Sequence, residues 1–555
     1  MDQPFAPFPG WSANITGKYR DECDLVMNFS AADRCAFVKN TSDCSNEDGF
    51  INYIYVAFCL LPPDLTPLTI TLCIIWLLFL FVILGLTASK FFCPNLSAIS
   101  TSLRLTHNVA GVTLLALGNG APDIFSAVAA FSHPHTAGLA VGALFGAGIF
   151  VTTVVAGSVA LVKPFIVASR PFLRDVVFYM AAVFWTFIVL YRGSMTMGET
   201  LGYLSLYVVY VVTVIISAYI YNRQKRVRNS SVQDSKRSPE SESSDDIVPN
   251  PCAGVIHEEY ESEYRPLLPY TDSTSQILLK SLNPVDSREW RRKSLSWRVF
   301  KILKIPLEFL LLLCVPVVDP DKEDRNWTRP LNCLHLITAP LVCVLTFQSG
   351  IYADYLIQNQ FPLWLMTLLL GLFLSSIVFC TTTNDRPPKY HPLFALLGFL
   401  VSAGLISAAA SEVVSLLHML GVVLGLSTTV LGLTLLAWGN SIGDCFADIT
   451  IARQGYPRMA ISACFGGIIF NMLFGVGLGC LVQMVKTQSD VQFEPGGLLT
   501  WVLTGSLGLS MVLSFVIIPL CRFQMGRPYG IFLIIFYCVF LVIALLTEFG
   551  MIHTM

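Results

Sequence analysis

The sequence predicts an all-α polytopic membrane protein made of two inverted halves of five helices with an inserted helix pair. Hydrophobic residues make up 54% of the 555 residues and charged residues only 13%, against roughly a quarter charged in soluble domains. Apolar runs of about 20 residues, the length that crosses a bilayer, recur from Leu68 to Leu546. A segment of the first half also recurs in the second, as described below.

The apolar runs predict about twelve membrane crossings. The predicted helices are residues 67–88, 105–131, 137–162, 174–191, 200–221, 331–349, 361–381, 392–412, 426–449, 459–485, 498–520 and 528–548. One further apolar stretch, 305–319, is short and contains Glu308. We expect residues 305–330 to form a helix at the inner membrane surface and a loop.

Charge placement predicts which side each connection faces, because Lys and Arg accumulate in inner loops. With the N-terminus outside, the inner connections contain Lys90, Arg104, Lys163, Arg170, Arg174, Arg386, Lys389, Arg453, Arg458, Arg522 and Arg527. The outer connections 132–136 and 413–425 contain neither residue type.

The first 64 residues are polar and differ from the rest of the chain. They contain four cysteines and three glycosylation sequons, at Asn14, Asn28 and Asn40. This pattern predicts a small, non-cytosolic, glycosylated segment with disulfides. The pairing of its cysteines is open: Cys23, Cys35, Cys44 and Cys59.

Residues 222–304 form a polar segment with a Ser/Asp/Glu-rich centre and basic flanks. Such a composition cannot bury a core, which predicts a disordered regulatory linker. Ser231 and Ser294 follow basic residues in the manner of kinase sites. The alternative is a basic segment that faces anionic lipid.

An internal repeat relates the two halves. Shifting the chain by 321 residues aligns 111–125 with 432–446, and nine of the fifteen positions are identical, including Gly118-Asn119 with Gly439-Asn440 and Asp123 with Asp444. A second match pairs 142–150 with 462–470. Apolar composition does not explain two copies of Gly-Asn followed by Asp at one spacing.

The repeat divides the membrane region into equivalent parts. The first half is 65–221 with repeat 105–162, the second is 392–555 with repeat 426–485, and the segment 331–391 is an inserted helix pair. By the charge rule the helix of Asp123 starts inside and that of Asp444 starts outside. Inverted repeats with a site at their midplane interface are typical of transporters.

Two aspartates inside apolar helices need a compensating partner, because each costs at least about 2.5–3.5 kcal/mol to insert. A shared cation would compensate Asp123 and Asp444. Calcium suits the neighbouring Asn119, Asn440 and Ser441, since it takes about six to eight oxygen ligands. A single copy could equally be a hydrogen-bonded structural acid.

Small residues and a proline predict broken helices at the site. Gly118, Gly120, Pro122, Gly439 and Gly443 surround the two aspartates, and Pro122 has no N–H to donate to the carbonyl four residues back. Freed carbonyls are ion ligands in discontinuous transporter helices. Asp448 lies one turn beyond Asp444 and matches Ala127 in the first repeat; both a ligand and an inner-vestibule role are open for it.

The two Gly-Asn-x-x-x-Asp segments resemble the α-repeats of the cation/calcium exchanger superfamily, and the similarity covers nearly the whole chain. The resemblance implies ten helices in two inverted halves and calcium antiport against sodium or lithium, with no cofactor. Asp123 and Asp444 stand at the acidic calcium-ligand positions, and Asn119, Asn440 and Ser441 beside them. Ala116 and Ala437 stand where backbone carbonyls help bind sodium. The resemblance also implies the mitochondrial inner membrane, whereas sequons and cysteines favour the secretory pathway.

The sequence departs from the superfamily pattern in the second helix of each repeat. Ala147, Val151 and Gly467 replace hydroxyl and amide ligands, and only Asn471 keeps a polar group. Fewer ligands favour fewer sodium ions or a proton as counter-ion, because two close carboxylates in an empty site repel each other. Sodium, lithium and proton therefore all remain candidates.

Other function classes fit the sequence less well. A net charge of −2 argues against nucleic acid. An intramembrane aspartyl protease, the enzyme alternative, would leave Asn119 and Asn440 unexplained, and a cation channel is the stronger competitor. The partners we expect are membrane lipid, inorganic cations and a kinase acting on the linker; a homo-oligomer is left open.

Overall fold

The chain is helical over most of its described length in the computed structural model. The structure describes residues 23–30, 33–41, 44, 50–60, 65–103, 116–131, 136–162, 164–233, 273–283, 290, 295–319, 325–346, 356–357, 361–384, 386–453, 455, 457–493 and 498–548.

The described residues form twenty α-helices and six two-residue strands; apart from the single-turn helix Tyr53–Tyr55, they are labelled in chain order. The helices are α1 (Arg34–Asn40), α2 (Thr66–Thr87), α3 (Cys93–Ser102), α4 (Ala116–Phe131), α5 (Ala137–Phe150), α6 (Ala156–Val162), α7 (Ser169–Arg192), α8 (Met197–Gln233), α9 (Thr274–Ser281), α10 (Leu295–Cys314), α11 (Arg329–Thr346), α12 (Leu363–Thr381), α13 (His391–Leu424), α14 (Thr428–Leu431), α15 (Ala437–Arg453), α16 (Pro457–Phe470), α17 (Val476–Thr487), α18 (Leu498–Leu520) and α19 (Arg527–Glu548). The strands are β1 (Phe165–Ile166), β2 (Ser194–Met195), β3 (Leu356–Ile357), β4 (Phe361–Pro362), β5 (Val491–Gln492) and β6 (Gln524–Met525).

Ten helical spans in the described part of the chain are long and apolar enough to cross a membrane. The protein is therefore an integral, multi-pass membrane protein, as predicted. The predicted total of about twelve crossings also counts the helices that carry Asp123 and Asp444, which are not among the ten. That total stays a prediction.

Two short antiparallel ribbons show that the halves are inverted. β1 pairs with β6 and β2 pairs with β5. β1 and β2 lie at opposite ends of α7, whose 24 residues span about 36 Å, and β5 and β6 lie at opposite ends of α18. The start of α7 thus meets the end of α18, so these equivalent helices run antiparallel. The predicted inverted repeat is confirmed.

The β1–β6 ribbon marks the more basic end of the molecule, which we call the basic face. The Nε of Arg458 donates a hydrogen bond to the Ile166 carbonyl in β1, at 2.7 Å. Arg170, Arg174, Arg522 and Arg527 lie close to these two strands in the sequence. The positive-inside rule places such an end inside, in agreement with the predicted orientation.

Turns of π-helix occupy equivalent positions in the two repeats. One joins α5 to α6 at Val151–Val155, and the other joins α16 to α17 at Asn471–Gly475. Their starts are separated by the 320-residue repeat shift. A third, Gly432–Leu436, joins α14 to α15. Turns of π-helix in a long helix are frequent at functional sites.

The first helix of each half is longer than predicted. The segment predicted to end at residue 88 continues through a π-helical turn and α3 to Ser102, and the segment predicted to end at 412 continues in α13 to Leu424. The predicted helix 392–412 ended at Glu412, and a carboxylate is costly in a membrane unless it is compensated. In the structure Glu412 is buried and hydrogen-bonded, so the helix continues through it.

The N-terminal segment supplies the partners of Glu412. Its predicted disulfides form as Cys23–Cys44 and Cys35–Cys59. The Glu412 carboxylate accepts hydrogen bonds from the Phe50 backbone N–H at 2.5 Å and from the Tyr53 hydroxyl at 2.6 Å. The Trp76 indole donates to the same hydroxyl at 2.9 Å. Burial, and then the hydrogen bond to Glu412 and the charge of that carboxylate, raise the pKa of Tyr53.

We expect Tyr53→Phe to destabilise the protein by about 1–3 kcal/mol, because the buried Glu412 carboxylate loses one of its two donors. Limited proteolysis should then release the N-terminal segment at lower protease concentration than in the wild type. Tyr55→Phe is the control, since Tyr55 is 40% exposed. Equal protease resistance of the two variants would contradict this role of Tyr53.

Helix α10, at the C-terminal end of the linker, is bound to the first long helix by a salt bridge and hydrogen bonds. Glu308 is buried and pairs with Lys90 at 2.7 Å and with Lys301. Burial of the Glu308 carboxylate raises its pKa, but hydrogen bonds and charges from the two lysines outweigh this, so the pKa lies below its ordinary value. Asn95 donates to the Pro316 carbonyl and accepts from the Val318 N–H, at 2.8 and 2.9 Å.

Three helical segments lie inside the region predicted as a linker, 222–304. Helix α8 continues to Gln233, α9 covers Thr274–Ser281, and α10 begins at Leu295. The extension of α8 is rich in Arg, Lys and Gln, which are strong helix formers. Ser231 lies in this extension, and Ser294 lies outside the described residues.

Candidate cation site

Three polar side chains from opposite halves meet inside the helix bundle. Asp123 of α4 accepts a hydrogen bond from the Asn471 side chain, with 2.5 Å between Nδ2 and Oδ2. Asn440 of α15 hydrogen-bonds the same carboxylate. The carboxylate of the first repeat is therefore hydrogen-bonded by two amide side chains of the second repeat.

These three residues border a small cavity. Its volume is about 10 Å³ as traced by the centre of a water-sized sphere, enough for about one water molecule. The rest of its wall is apolar or small: Ala127, Ala143, Leu144, Ala147, Gly148 and Ile468. Ala147, identified in the sequence as a lost ligand, lies in this wall.

Two amide oxygens at the cavity have no hydrogen-bond donor. Asn440 Oδ1 and Asn471 Oδ1 are buried acceptors without partners, although buried polar atoms are normally satisfied. With the two carboxylate oxygens of Asp123 they make four side-chain oxygens around one cavity. A bound cation would satisfy them, and amide and carboxylate oxygens are the ligands that calcium takes.

Glycines allow the helices that carry these ligands to approach closely. A Cβ on Gly120 would overlap the Asn471 amide oxygen. A Cβ on Gly142 of α5 would overlap the Thr429 carbonyl, and one on Gly432 would overlap the Leu139 carbonyl. The second helix of the first repeat therefore packs, backbone against backbone, on the first helix of the second repeat.

The other predicted site residues fall into three groups. The side chains of Ala116 and Asn119 lie outside the described residues, and Gly118 is part of α4. Ser441 and Ala437 are each 1% exposed, and Ser441 Oγ has no hydrogen-bond partner. Asp444 is half-buried and does not border the cavity, so the structure does not bring the two aspartates to one cavity.

The reason for this asymmetry lies at residue 151. The repeat shift of 320 relates Asn471, which binds Asp123, to Val151 in the first half. Val151 is buried, but its side chain has no amide to offer Asp444. The charge of Asp444 acts instead on the thiols of Cys445 and Cys464.

The predicted helix breaks around the aspartates are wrong. Helix α4 runs unbroken through Gly118, Gly120 and Pro122, and α15 through Gly439 and Gly443. Contacts of α4 with α13 and α17 hold the helix despite the hydrogen bond missing at Pro122. The helical irregularities occur instead in the π-helical turns, one of which begins at Asn471.

The sequence did not single out the buried acids Glu412 and Asp175, and it did not predict that Glu308 is buried. Asp175 of α7 accepts hydrogen bonds from Arg174 at 2.8 Å and from Tyr210 at 3.2 Å. The sequence feature that could have identified these buried acids is a carboxylate inside or beside an apolar run. Among the described residues, no group of three or more His, Cys, Asp and Glu side chains could hold a metal ion.

Comparison with known proteins identifies the family. The family model described as sodium/calcium exchanger protein matches residues 73–216 and 394–546, which include both repeats. The chain belongs to the sodium/calcium exchanger protein family. This membership confirms the superfamily resemblance and the predicted fold class.

Two members of the family resemble the chain over nearly its whole length. The human mitochondrial sodium/calcium exchanger protein is 59% identical over 548 residues, 98% of this chain and 93% of the relative. The chicken protein of the same name is 57% identical over 567 residues, 99% of this chain and 94% of the relative. A crystal structure of the H⁺/Ca²⁺ exchanger CAX aligns with 87% of this chain and 91% of its own, at 10% identity and a TM-score of 0.41, which is too low to assign an ion.

Proposed function

We propose that this exchanger is a secondary active antiporter that moves calcium in exchange for a monovalent cation by alternating access. The observation that carries the proposal is the convergence of Asp123, Asn440 and Asn471 from inverted halves on one buried cavity. Because the halves are inverted, exchanging their conformations opens the same site to the opposite side.

The chemistry of the ligands favours calcium as the transported ion. Ionised Asp123 is unfavourable in an empty membrane site, and a cation in the cavity would compensate its charge. The free amide oxygens of Asn440 and Asn471 would enter the coordination shell, and backbone carbonyls or water would complete about six to eight ligands. The ion is cargo here, and the protein acts as a transporter without enzymatic chemistry.

Sodium or lithium is the counter-ion we favour, and the mitochondrial inner membrane the location. The human and chicken relatives are named mitochondrial sodium/calcium exchanger proteins, which supports sodium and the mitochondrial location; lithium rests on the superfamily resemblance alone. On this proposal the protein extrudes calcium from mitochondria.

A proton is the second candidate counter-ion, and one observation favours it. Among the described residues, the cavity wall contains a single carboxylate and two amides, and Ala147 in that wall carries no oxygen ligand. Val151 and Gly467 also lack side-chain oxygens. A site this poor in oxygen ligands offers little for a second or third sodium ion. Proton uptake by the empty site would then complete the cycle.

Calcium flux in vesicles reconstituted with the full chain tests both candidates. Calcium efflux is measured with a sodium, a lithium or a pH gradient imposed separately, and the pH clamped on both sides in the first two cases. Acceleration by sodium or lithium supports the first candidate. Acceleration by the pH gradient alone supports the second, and flux without any counter-gradient indicates a channel.

We expect Val151→Asn to increase sodium-driven calcium efflux about threefold or more, because it gives Asp444 the amide that Asn471 gives Asp123. The measurement is the sodium concentration dependence of calcium efflux at constant pH. Val162→Asn, at the end of α6, is the control because it adds the same amide away from the site. An unchanged sodium dependence in Val151→Asn would show that the missing amide does not limit sodium binding.

The regulatory and assembly features also belong to this proposal. A kinase acting on Ser231 or Ser294 would reduce the positive charge of the linker flanks and weaken their attraction to anionic lipid. The salt bridge between Glu308 of α10 and Lys90 would transmit this change in linker charge to the first long helix. Glycosylation of the N-terminal segment and a homo-oligomeric assembly remain predictions.

A further inference from the structure

A tyrosine hydroxyl reaches the wall of the cation cavity from a helix that supplies none of the side chains described at the site. Tyr179 lies in the middle of α7, and its side chain is 0% exposed. A Cβ on Gly148 of α5 would overlap the Tyr179 hydroxyl oxygen. Gly148 borders the cavity, whereas Tyr179 does not. The hydroxyl therefore contacts the cavity wall at a residue that has no side chain.

The Tyr179 hydroxyl differs from other tyrosine hydroxyls of the bundle in its hydrogen bonding. Several of these hydroxyls in the described part of the chain hydrogen-bond a side chain: Tyr53 to Glu412 at 2.6 Å, Tyr203 to Thr186 at 2.9 Å, Tyr210 to Asp175 at 3.2 Å and Tyr529 to Ser514 at 2.9 Å. No described residue hydrogen-bonds the hydroxyl of Tyr179. A buried hydroxyl without a partner is costly, so this one is available to a molecule in the adjoining cavity.

The cavity can hold the partner that this hydroxyl lacks. It has room for about one water molecule, and the unpaired amide oxygens of Asn440 and Asn471 lie at it. Both amide oxygens accept hydrogen bonds and cannot donate them. A water that donates its two hydrogens to them still needs a donor for its own oxygen. The hydroxyl of Tyr179 is such a donor, and it can also accept.

We propose that Tyr179 is a further residue of the cation site and holds, over the backbone of Gly148, one water molecule of the cation's hydration shell. This inference rests on the proposed calcium exchange. In the ion-free site the hydroxyl donates to the water. When calcium enters, the water turns its oxygen to the ion and donates a hydrogen to Tyr179, because calcium takes water among its oxygen ligands. A carboxylate could serve only the second state, since it only accepts.

The fold fixes the hydroxyl in this position. Helix α7 is tied at one end by the β1–β6 ribbon and at the other by the β2–β5 ribbon. Leu507 of α18 would lie 3.4 Å from the same Cβ on Gly148, so the space beside residue 148 is already filled. Any side chain at 148 would displace the hydroxyl. Glycine at 148 thus lets α7 supply an oxygen that Ala147 in the same wall does not.

Tyr179→Phe removes only the hydroxyl oxygen. In vesicles reconstituted with the full chain, we expect the calcium KM to rise about three- to tenfold and the maximal rate to change by less than about twofold. The calcium concentration that raises the unfolding temperature in detergent should increase by the same factor, since binding stabilises the folded state. An unchanged calcium KM in a folded Tyr179→Phe protein would overturn the inference.

Tyr529→Phe is the matched control, because it removes a hydroxyl that is bonded to Ser514 at the start of α19. It should lower the unfolding temperature and leave the calcium KM unchanged. An equal rise of the calcium KM in Tyr529→Phe and Tyr179→Phe would mean a general softening of the bundle and would overturn the inference.

Gly148→Ala tests the contact from the other side. It should lower the unfolding temperature by about 2 °C or more and raise the calcium KM, because the new Cβ displaces the hydroxyl. In the Tyr179→Phe background that Cβ would meet the Leu507 methyl at 3.4 Å and the residue 179 ring carbon at 3.5 Å, which are ordinary contacts, so alanine should be tolerated.

Two results of this pair would overturn the inference: equal destabilisation by Gly148→Ala in both backgrounds, or an unchanged calcium KM in Gly148→Ala alone. The second result also decides the matter if Tyr179→Phe does not fold. Absence of calcium exchange by the wild-type protein would instead refute the proposed function, and the calcium-dependent unfolding temperatures would still measure the contribution of Tyr179 to binding.

Discussion

Replacing Asp123 by Asn is expected to reduce calcium flux about a hundredfold or more while the protein still folds. Among the described residues, Asp123 is the only carboxylate that borders the cavity, so the change removes the negative charge that these side chains place there. A divalent ion then loses a favourable interaction that is strong at low dielectric. Folding is preserved because a neutral amide costs less to insert into a membrane than a carboxylate.

The measurement is calcium flux per folded transporter, with the folded amount determined by gel filtration in detergent. Asp490→Asn is the matched control, because it removes the same charge at an exposed position after α17. Asp444→Asn should also lower flux strongly, as the sequence repeat predicts. Near-normal flux from a well-folded Asp123→Asn protein would refute a carboxylate-based site in this cavity.

Replacing Gly142 by Ala is expected to destabilise the protein by about 1–3 kcal/mol and to abolish most of the calcium flux. The added Cβ would overlap the Thr429 carbonyl and would lie 3.0 Å from the Leu433 backbone nitrogen. Backbone atoms cannot rotate away as a side-chain end can, so α5 must move off α14 and the following π-helical turn. That movement would displace Ala147 and Gly148 in the cavity wall.

Gly508→Ala is the control for this effect. Gly508 lies inside α18, and a Cβ there would meet no atom within 4 Å, so the change should stabilise the helix by up to about 1 kcal/mol. Thermal unfolding in detergent and calcium flux are measured for both variants. If Gly142→Ala unfolds at the same temperature as Gly508→Ala and transports normally, the backbone contact between the repeats is not tight.

Much of the fold follows from local sequence, because a bilayer restricts a chain to few solutions. Apolar runs place most helices to within a few residues, since every backbone polar group in lipid must be satisfied within the helix. The two Gly-Asn-x-x-x-Asp copies and the basic loops predict the inversion that the β1–β6 and β2–β5 ribbons confirm. The four N-terminal cysteines predict disulfides, though not their pairing.

The errors concentrate where a distant segment changes the cost of a local feature. Glu412 ended a predicted helix, yet α13 continues because Phe50 and Tyr53 hydrogen-bond its carboxylate. Pro122 and the neighbouring glycines predicted a break, yet packing of α4 keeps it helical.

The sequence by itself determined the class of protein, the repeat and the polar residues that could bind a cation. Only the tertiary structure decided which of them come into contact. Asp123 meets Asn440 and Asn471 at one cavity, whereas Asp444 lies outside that cavity, on the same helix as Asp448. The reason is that the ligands of one cavity come from helices about 320 residues apart in the chain. Their distances depend on backbone contacts such as that of Gly142 with Thr429, which no local pattern encodes.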